Sequence, residues 1–480
     1  MKKSAKAFSW SLIDTYANFG LKLVFTIAIA RILSPSDYGI VAYTGLFIGI
    51  ATFISEGGFT SALIHKEEPT QADYSTIFLY TLASSLFFFL LYFISAGWVA
   101  SYFSEPALKN VLRVASLSFV VNSVGAVHMT QLIRSLEFKK QAKINFVSST
   151  IGGIIGLSMA VWGFNYWALV AQTIVSTTFR FAGLVLSIRW IPSLMFSLAS
   201  FRSLFNFGFK TFMQGLIESI FREIQAMVIG KNYFTRELGL YDRGKKFYDL
   251  LIIQTSIAIN KVLFPLMSRN RSDQEAYREI YSRTYNILFF VMAPLSLTLF
   301  LISGPMVEIL LTAKWMEVVP IMQLFFVGGG VFMLLYFNST TMLASGKASL
   351  FLYLDLIQKT MLAISLFITY KMGIITIITG WLISYYLYYG IYEYVMFRQG
   401  YHTREKYLLM GQVLLALIPL LVINYSLMQV SGNPWFLLFS QCMIFPLAYL
   451  ASLKISRSGM YRLFAAEVRQ HLGEKYRRYV

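Results

Sequence analysis

Five side chains in one stretch carry the first chemical signal. Lys210, Gln214, Glu218, Arg222 and Gln225 follow one another at intervals of four, four, four and three residues, among mostly apolar neighbours. At about 100° per residue, that spacing confines them to one helical arc roughly 120° wide. Ser11, Asp14, Asn18 and Lys22 draw a similar stripe near the start of the chain. From Lys210 to Arg222 a helix rises about 18 Å, over half of a hydrocarbon core of roughly 30 Å. Snorkelling to one interface cannot serve all of these groups. A Lys, Arg or Asp at the bilayer centre costs about 2.5–3.5 kcal/mol even on the lenient insertion scale, so intramembrane charges face a bundle interior or water. The two stripes therefore predict a hydrated chamber. Ammonium and guanidinium groups in a low dielectric bind phosphate and carboxylate oxygens strongly, which makes an anion the expected ligand.

On this reading Lys22, Lys210 and Arg222, with Arg113 and Arg180 from other apolar stretches, are the expected contacts to an anionic head group. Asn18, Gln214 and Gln225 are the expected polar lining, and Asp14 and Glu218 the candidates to carry a coupling ion. The competing reading of Glu218 and Arg222 is a mutually neutralising pair at i and i+4. For Arg113, Arg180, Lys261, Lys359, Glu56, Asp249 and Asp355, each taken singly, the competing reading is pairing between helices.

The elements that must position these residues are membrane helices. The chain has 480 residues, 57% hydrophobic, 17% aromatic and 13% charged, against about 25% charged in soluble domains. Its apolar runs predict an all-α polytopic membrane protein of about fourteen transmembrane helices. The division expected is 1–200, 201–400, two more spans in 401–454, and a basic amphipathic tail over 455–480 lying on the inner leaflet. An internal repeat supports the first boundary. At a constant offset of 200, Asp14 matches Gln214, Asn18 matches Glu218, Lys22 matches Arg222, Arg31 matches Lys231, Asp37 matches Glu237 and Gly39 matches Gly239. Duplicated bundles around a site near the midplane are the common construction of secondary transporters.

The formal charge of +18 is explained by basic residues gathered in alternate loops, as the positive-inside rule requires, and no nucleic-acid partner is expected. Both termini are expected in the cytoplasm. The segment holding Lys231, Arg236, Arg243, Lys245 and Lys246, predicted to be external, runs against this. The opening MKKSAK and its apolar run imitate a signal peptide, but Asp14, Asn18 and Lys22 interrupt the run, which is read as a retained first span. Cys442 is the only cysteine, which excludes disulfides within the chain. The scattered histidines form no HExxH, and no Walker motif is present, so neither a metal nor ATP hydrolysis is expected. The run SYYLYYGIYEY (384–394) reads as an interfacial aromatic belt in preference to a sugar-stacking surface. Gly45 and Gly49, like Gly152 and Gly156, fit small-residue helix contacts. Gly328, Gly329 and Gly330 fit either a flexible point or close packing.

The segments ARILSPSDYGIVA (30–42), SEGGFTSALIHKEEPTQADYSTIF (55–78), RSLEFKKQAK (134–143), FSLASFRSLFNFG through GKNYFTRELGLYDR (196–243) and KVLFPLMS (261–268) resemble the Wzx-type polysaccharide flippases. The resemblance is to the colanic-acid branch of a superfamily shared with peptidoglycan-precursor flippases and multidrug and toxin extruders. It implies two pseudo-symmetric lobes of about six helices in a V, with two helices outside. It also implies movement of polyprenyl-diphosphate-linked oligosaccharide between leaflets of a bacterial inner membrane, for exopolysaccharide, capsule or O-antigen synthesis. No cofactor is implied beyond a coupling proton or sodium ion. The implied partners are the lipid-linked oligosaccharide, membrane lipids and polysaccharide polymerase machinery. A multidrug extruder would call for acidic residues around an organic cation, and a membrane glycan polymerase or ligase for catalytic groups on large external loops. A structural membrane subunit would leave the charged stripes without a use.

Overall fold

A computed structural model of the chain describes residues 2–465 other than 57, 402, 403, 457, 460, 463 and 464. The side chains of Ser11, Glu56, Lys210, Gln214 and Lys261 lie outside the description, as does most of the tail expected over 455–480. The described residues are helical, with no strand among them. They form two compact units, Met1–Asp242 and Arg243–Val480.

The first unit holds α1 (Lys2–Ile32), α2 (Pro35–Glu56), α3 (Phe59–His65), α4 (Gln71–Tyr102), α5 (Ala107–Arg134), α6 (Phe138–Val161), α7 (Trp167–Ser187) and α8 (Leu198–Asn232). Helix α9 (Thr235–Tyr248) crosses the boundary. A π-turn over Asp249–Ile253 links it to α10 (Gln254–Arg269). The second unit continues with α11 (Gln274–Leu310), a 3-10 turn, α12 (Val319–Ala344), α13 (Ala348–Thr369), α14 (Ile374–Arg398), α15 (Arg404–Leu415), α16 (Ile418–Val430) and α17 (Pro434–Ile455).

Among the described residues, eleven helical stretches are long and apolar enough to cross a membrane. Helices α1 and α8, of 31 and 35 residues, carry the polar stripes and include side chains outside the description, so that count does not extend to them. The first unit also runs past the boundary expected at residue 200, because α8 packs along α2, α3 and α4. The Tyr43 hydroxyl donates to the Gly230 carbonyl at 2.9 Å, and Gly215 leaves room for the Phe53 ring.

The offset of 200 is written into the backbone. Leu33 N–H bonds the Ile29 carbonyl at 2.9 Å, and Tyr233 N–H bonds the Ile229 carbonyl at 2.9 Å. Helices α2 and α9 then begin at Pro35 and Thr235. The two starts cross: a Cβ on Gly39 would overlap the Thr235 carbonyl oxygen, and a Cβ on Gly239 would overlap the Pro35 carbonyl oxygen. Each residue of one crossing matches, at the same offset, its counterpart in the other. Only glycine lets two backbones approach so closely.

Other glycines divide. Gly152 and Gly156 on α6 receive Ser176 and Gln172 of α7, and Gly153 receives the Phe25 ring of α1, as close helix packing requires. Gly45 and Gly49 have nothing within 4 Å of an added Cβ, so the packing role expected for them is absent among the described residues. Gly328, Gly329 and Gly330 are packing positions, against Trp381, Ile252 and Ser296. Of the basic cluster after residue 230, Arg236, Arg243, Lys245 and Lys246 lie within α9, and Arg243 is only 1% exposed.

Candidate functional site

In the first unit, the glycines of α6 bring α1 and α7 close on either side of it, and polar side chains gather where they meet. Gln141 and Asn145, one turn apart on α6, donate to the Asp14 carboxylate at 3.3 and 3.2 Å. Asn18, one turn along α1, donates to the same carboxylate at 2.5 Å and is itself 9% exposed. The carboxylate is thus held by three amides from two helices, the arrangement a charged group needs away from water. Lys22 follows one more turn along α1 and is exposed. Arg180 of α7 and Asp14 both act on it electrostatically. Lys22 and Arg180 thus lie within electrostatic range of one another, and Asp14 within range of Lys22.

The remaining expected residues separate from this group. Arg113 donates from Nε to the Phe93 carbonyl at 3.0 Å and stacks 4.7 Å from the Phe93 ring, so it serves the α4/α5 contact. Gln225 is buried and accepts from the Tyr241 hydroxyl at 2.9 Å, fastening α8 to α9 instead of lining a chamber. Glu218 and Arg222 are exposed on α8, and Lys210 and Gln214 lie outside the described side chains.

A second polar group, missed by sequence reasoning, lies in the second unit. Glu393 of α14 accepts from the Tyr285 hydroxyl at 2.8 Å and from the Asn338 amide at 3.2 Å. Its other oxygen lies 3.9 Å from the ammonium of Lys406 on α15, and both side chains are nearly inaccessible. Lys406 also sits 3.0 Å from the centre of the Tyr285 ring. The belt reading of 384–394 is corrected here: Ser384, Tyr388, Tyr392 and Glu393 face inward at helical spacing, and Tyr386 and Tyr394 remain exposed. The available signal was the same spacing on α11, where Tyr277, Tyr281 and Tyr285 recur every four residues. Tyr277 donates to the Thr341 carbonyl at 2.6 Å and Tyr281 to Asn338 at 2.8 Å.

A family model described as polysaccharide biosynthesis protein matches residues 28–320, more than half of the 480-residue chain. The chain belongs to that family. It is a Wzx-type member, a membrane transporter and not an enzyme. The succinoglycan biosynthesis transport protein ExoT of Rhizobium meliloti is 27% identical over 69% of this chain and 67% of its own length. The lipopolysaccharide biosynthesis protein WzxC of Escherichia coli is 22% identical over 68% of this chain and 67% of its own. Among solved structures, the lipid II flippase MurJ in an inward closed conformation superposes with a TM-score of 0.76 at 17% identity, covering 93% of this chain and 98% of that one. An inward-facing multidrug MATE transporter superposes at 0.55 and 14% identity, covering 81% and 97%. At these identities the structural likeness concerns the fold.

Proposed function

We propose that the protein moves polyprenyl-diphosphate-linked oligosaccharide from the cytoplasmic to the outer leaflet of a bacterial inner membrane, with both termini in the cytoplasm. Helices α1, α8 and the α9–α10 stretch join the eleven apolar helices as spans. The observation that carries this reading is the group of Lys22 and Arg180 beside a three-amide Asp14. A diphosphate head group is repelled by hydrocarbon, and a polar site that receives it removes most of the barrier to crossing. The lipid tail needs no such help and stays in the bilayer. Alternating exposure of the site to the two faces completes transport, with the two lobes as the moving parts. Asp14 is the coupling residue for a proton or sodium ion.

Reconstitution with a fluorescent lipid-linked oligosaccharide tests the proposal, scored for leaflet crossing and for covalent change. Lys22→Gln with Arg180→Gln lowers crossing at least about tenfold, the loss of about 1.4 kcal/mol or more of charge-assisted contact, while the protein level in the membrane is retained. Unchanged crossing in that variant excludes the site, and a chemically altered oligosaccharide excludes transport as the activity.

A further inference from the structure

The turn after α5 and the turn after α12 share one backbone form. Leu136 and Gly346 both have positive φ, 56° and 81°. The next residues, Glu137 and Lys347, have φ and ψ of −85° and 48° against −86° and 46°. The chemistry differs at that position. Glu137 pairs with Lys140 at 2.5 Å, so the residue matching Lys347 is an acid answered by a neighbouring lysine. In the second, a lysine replaces the acid and two arginines converge on it. Arg271 lies against Gly346 so closely that a Cβ there would overlap its guanidinium. Arg278 lies 3.1 Å from where a Cβ would stand on Gly400, a left-handed residue in the turn after α14. Lys347 donates to Gln399 in that same turn at 2.6 Å, and its ammonium sits 5.5 Å from the Tyr401 ring centre.

Among the described residues, no carboxylate forms an ion pair with Arg271, Arg278 or Lys347. The nearby Asp273 is used in capping α11, accepting from the backbone of Glu275 and Ala276. Partial burial and the neighbouring Arg278 hold Lys347 below the usual lysine range. Both arginines and both glycines are exposed, which leaves the cluster open. Membrane topology asks for basic residues on this side, but not for guanidinium groups laid on two bare glycine peptides. The turn of the first unit, with Glu137 where the second has Lys347, shows that the backbone form does not require a cation at that position.

We propose that Arg271, Arg278 and Lys347, gathered around Gly346 and Gly400, bind a phosphate-bearing head group. That chemistry has two sources, an acidic phospholipid of the adjoining leaflet and a lipid-linked diphosphate. The inference rests on the membrane orientation proposed above and not on transport itself.

The test uses the full chain purified in neutral detergent, with thermal unfolding as the readout. Added phosphatidylglycerol, inorganic pyrophosphate and phosphatidylcholine are compared for the wild type, for Arg278→Gln with Lys347→Gln, and for Lys347→Arg. The expected result is a rise in melting temperature with phosphatidylglycerol or pyrophosphate and none with phosphatidylcholine. Most of the rise is lost in the glutamine variant and kept in Lys347→Arg. A rise with phosphatidylglycerol alone assigns the site to membrane lipid, and a rise with pyrophosphate assigns it to a diphosphate. No rise from either anion, or an equal rise in wild type and glutamine variant, overturns the proposal. So does an equal loss in Lys140→Gln, which alters only the turn at Glu137. Because binding is read without leaflet crossing, failure of the transport reading leaves this result interpretable.

Discussion

At the scale of single residues, Glu393 and Lys406 illustrate what buried charge demands. Each is surrounded by groups that answer it: hydroxyl and amide donors for the carboxylate, and a tyrosine face for the ammonium. Removing one member of such a pair strands the other and typically costs about 3–5 kcal/mol, whereas neutral replacement of both costs far less. Glu393→Ala is therefore expected to lower the melting temperature of the detergent-purified protein sharply. Glu393→Gln combined with Lys406→Met should recover much of the loss; a double variant no more stable than Glu393→Ala would show that the pair is not what holds α15 to the second unit. These residues escaped sequence reading because a tyrosine-rich run is equally at home at a membrane interface and in a packed interior. Its periodicity does not say which neighbours the inward face will meet. Asp14, Asn18 and Lys22 were more legible, since charge within an apolar helix is costly wherever the helix lies.

At the scale of elements, the crossing of α2 and α9 depends on the absence of two side chains. A methyl group on Gly39 or Gly239 has no space, and forcing it in separates the backbones at a cost of about 1–3 kcal/mol. Gly39→Ala and Gly239→Ala should each lower the melting temperature by a similar amount, because each residue meets the same carbonyl of the other hairpin. Gly20→Ala is the control, with nothing within 4 Å of its added Cβ, and should be neutral or stabilising. Equal effects at Gly20 and Gly39 would refute the crossing. Gly39 and Gly239 were visible in the sequence as a matched pair. Their meeting was not, because an offset identifies equivalent residues without saying that they touch.

At the scale of the whole molecule, the family match and the apolar helices establish a multi-pass membrane protein of the polysaccharide biosynthesis family, and its orientation can be tested directly. In a Cys442→Ser background, Ser4→Cys and Lys347→Cys should resist a membrane-impermeant maleimide applied to intact cells, while Lys371→Cys reacts. Labelling of Lys347→Cys from outside would reverse the topology and move the basic turn to the other leaflet.

The helical class, the membrane setting and the polar positions Asp14, Asn18 and Lys22 on α1 were determined by the sequence alone. Each follows from a local cost, of charge in hydrocarbon or of an unsatisfied backbone, that does not depend on the neighbours. Tertiary structure alone decided that Asp14 answers to Gln141 and Asn145, that Arg113 and Gln225 serve packing, and that Glu393 meets Lys406. The physical reason is range: partners distant in the chain are chosen by how helix faces pack, and helical periodicity fixes only which face a residue occupies.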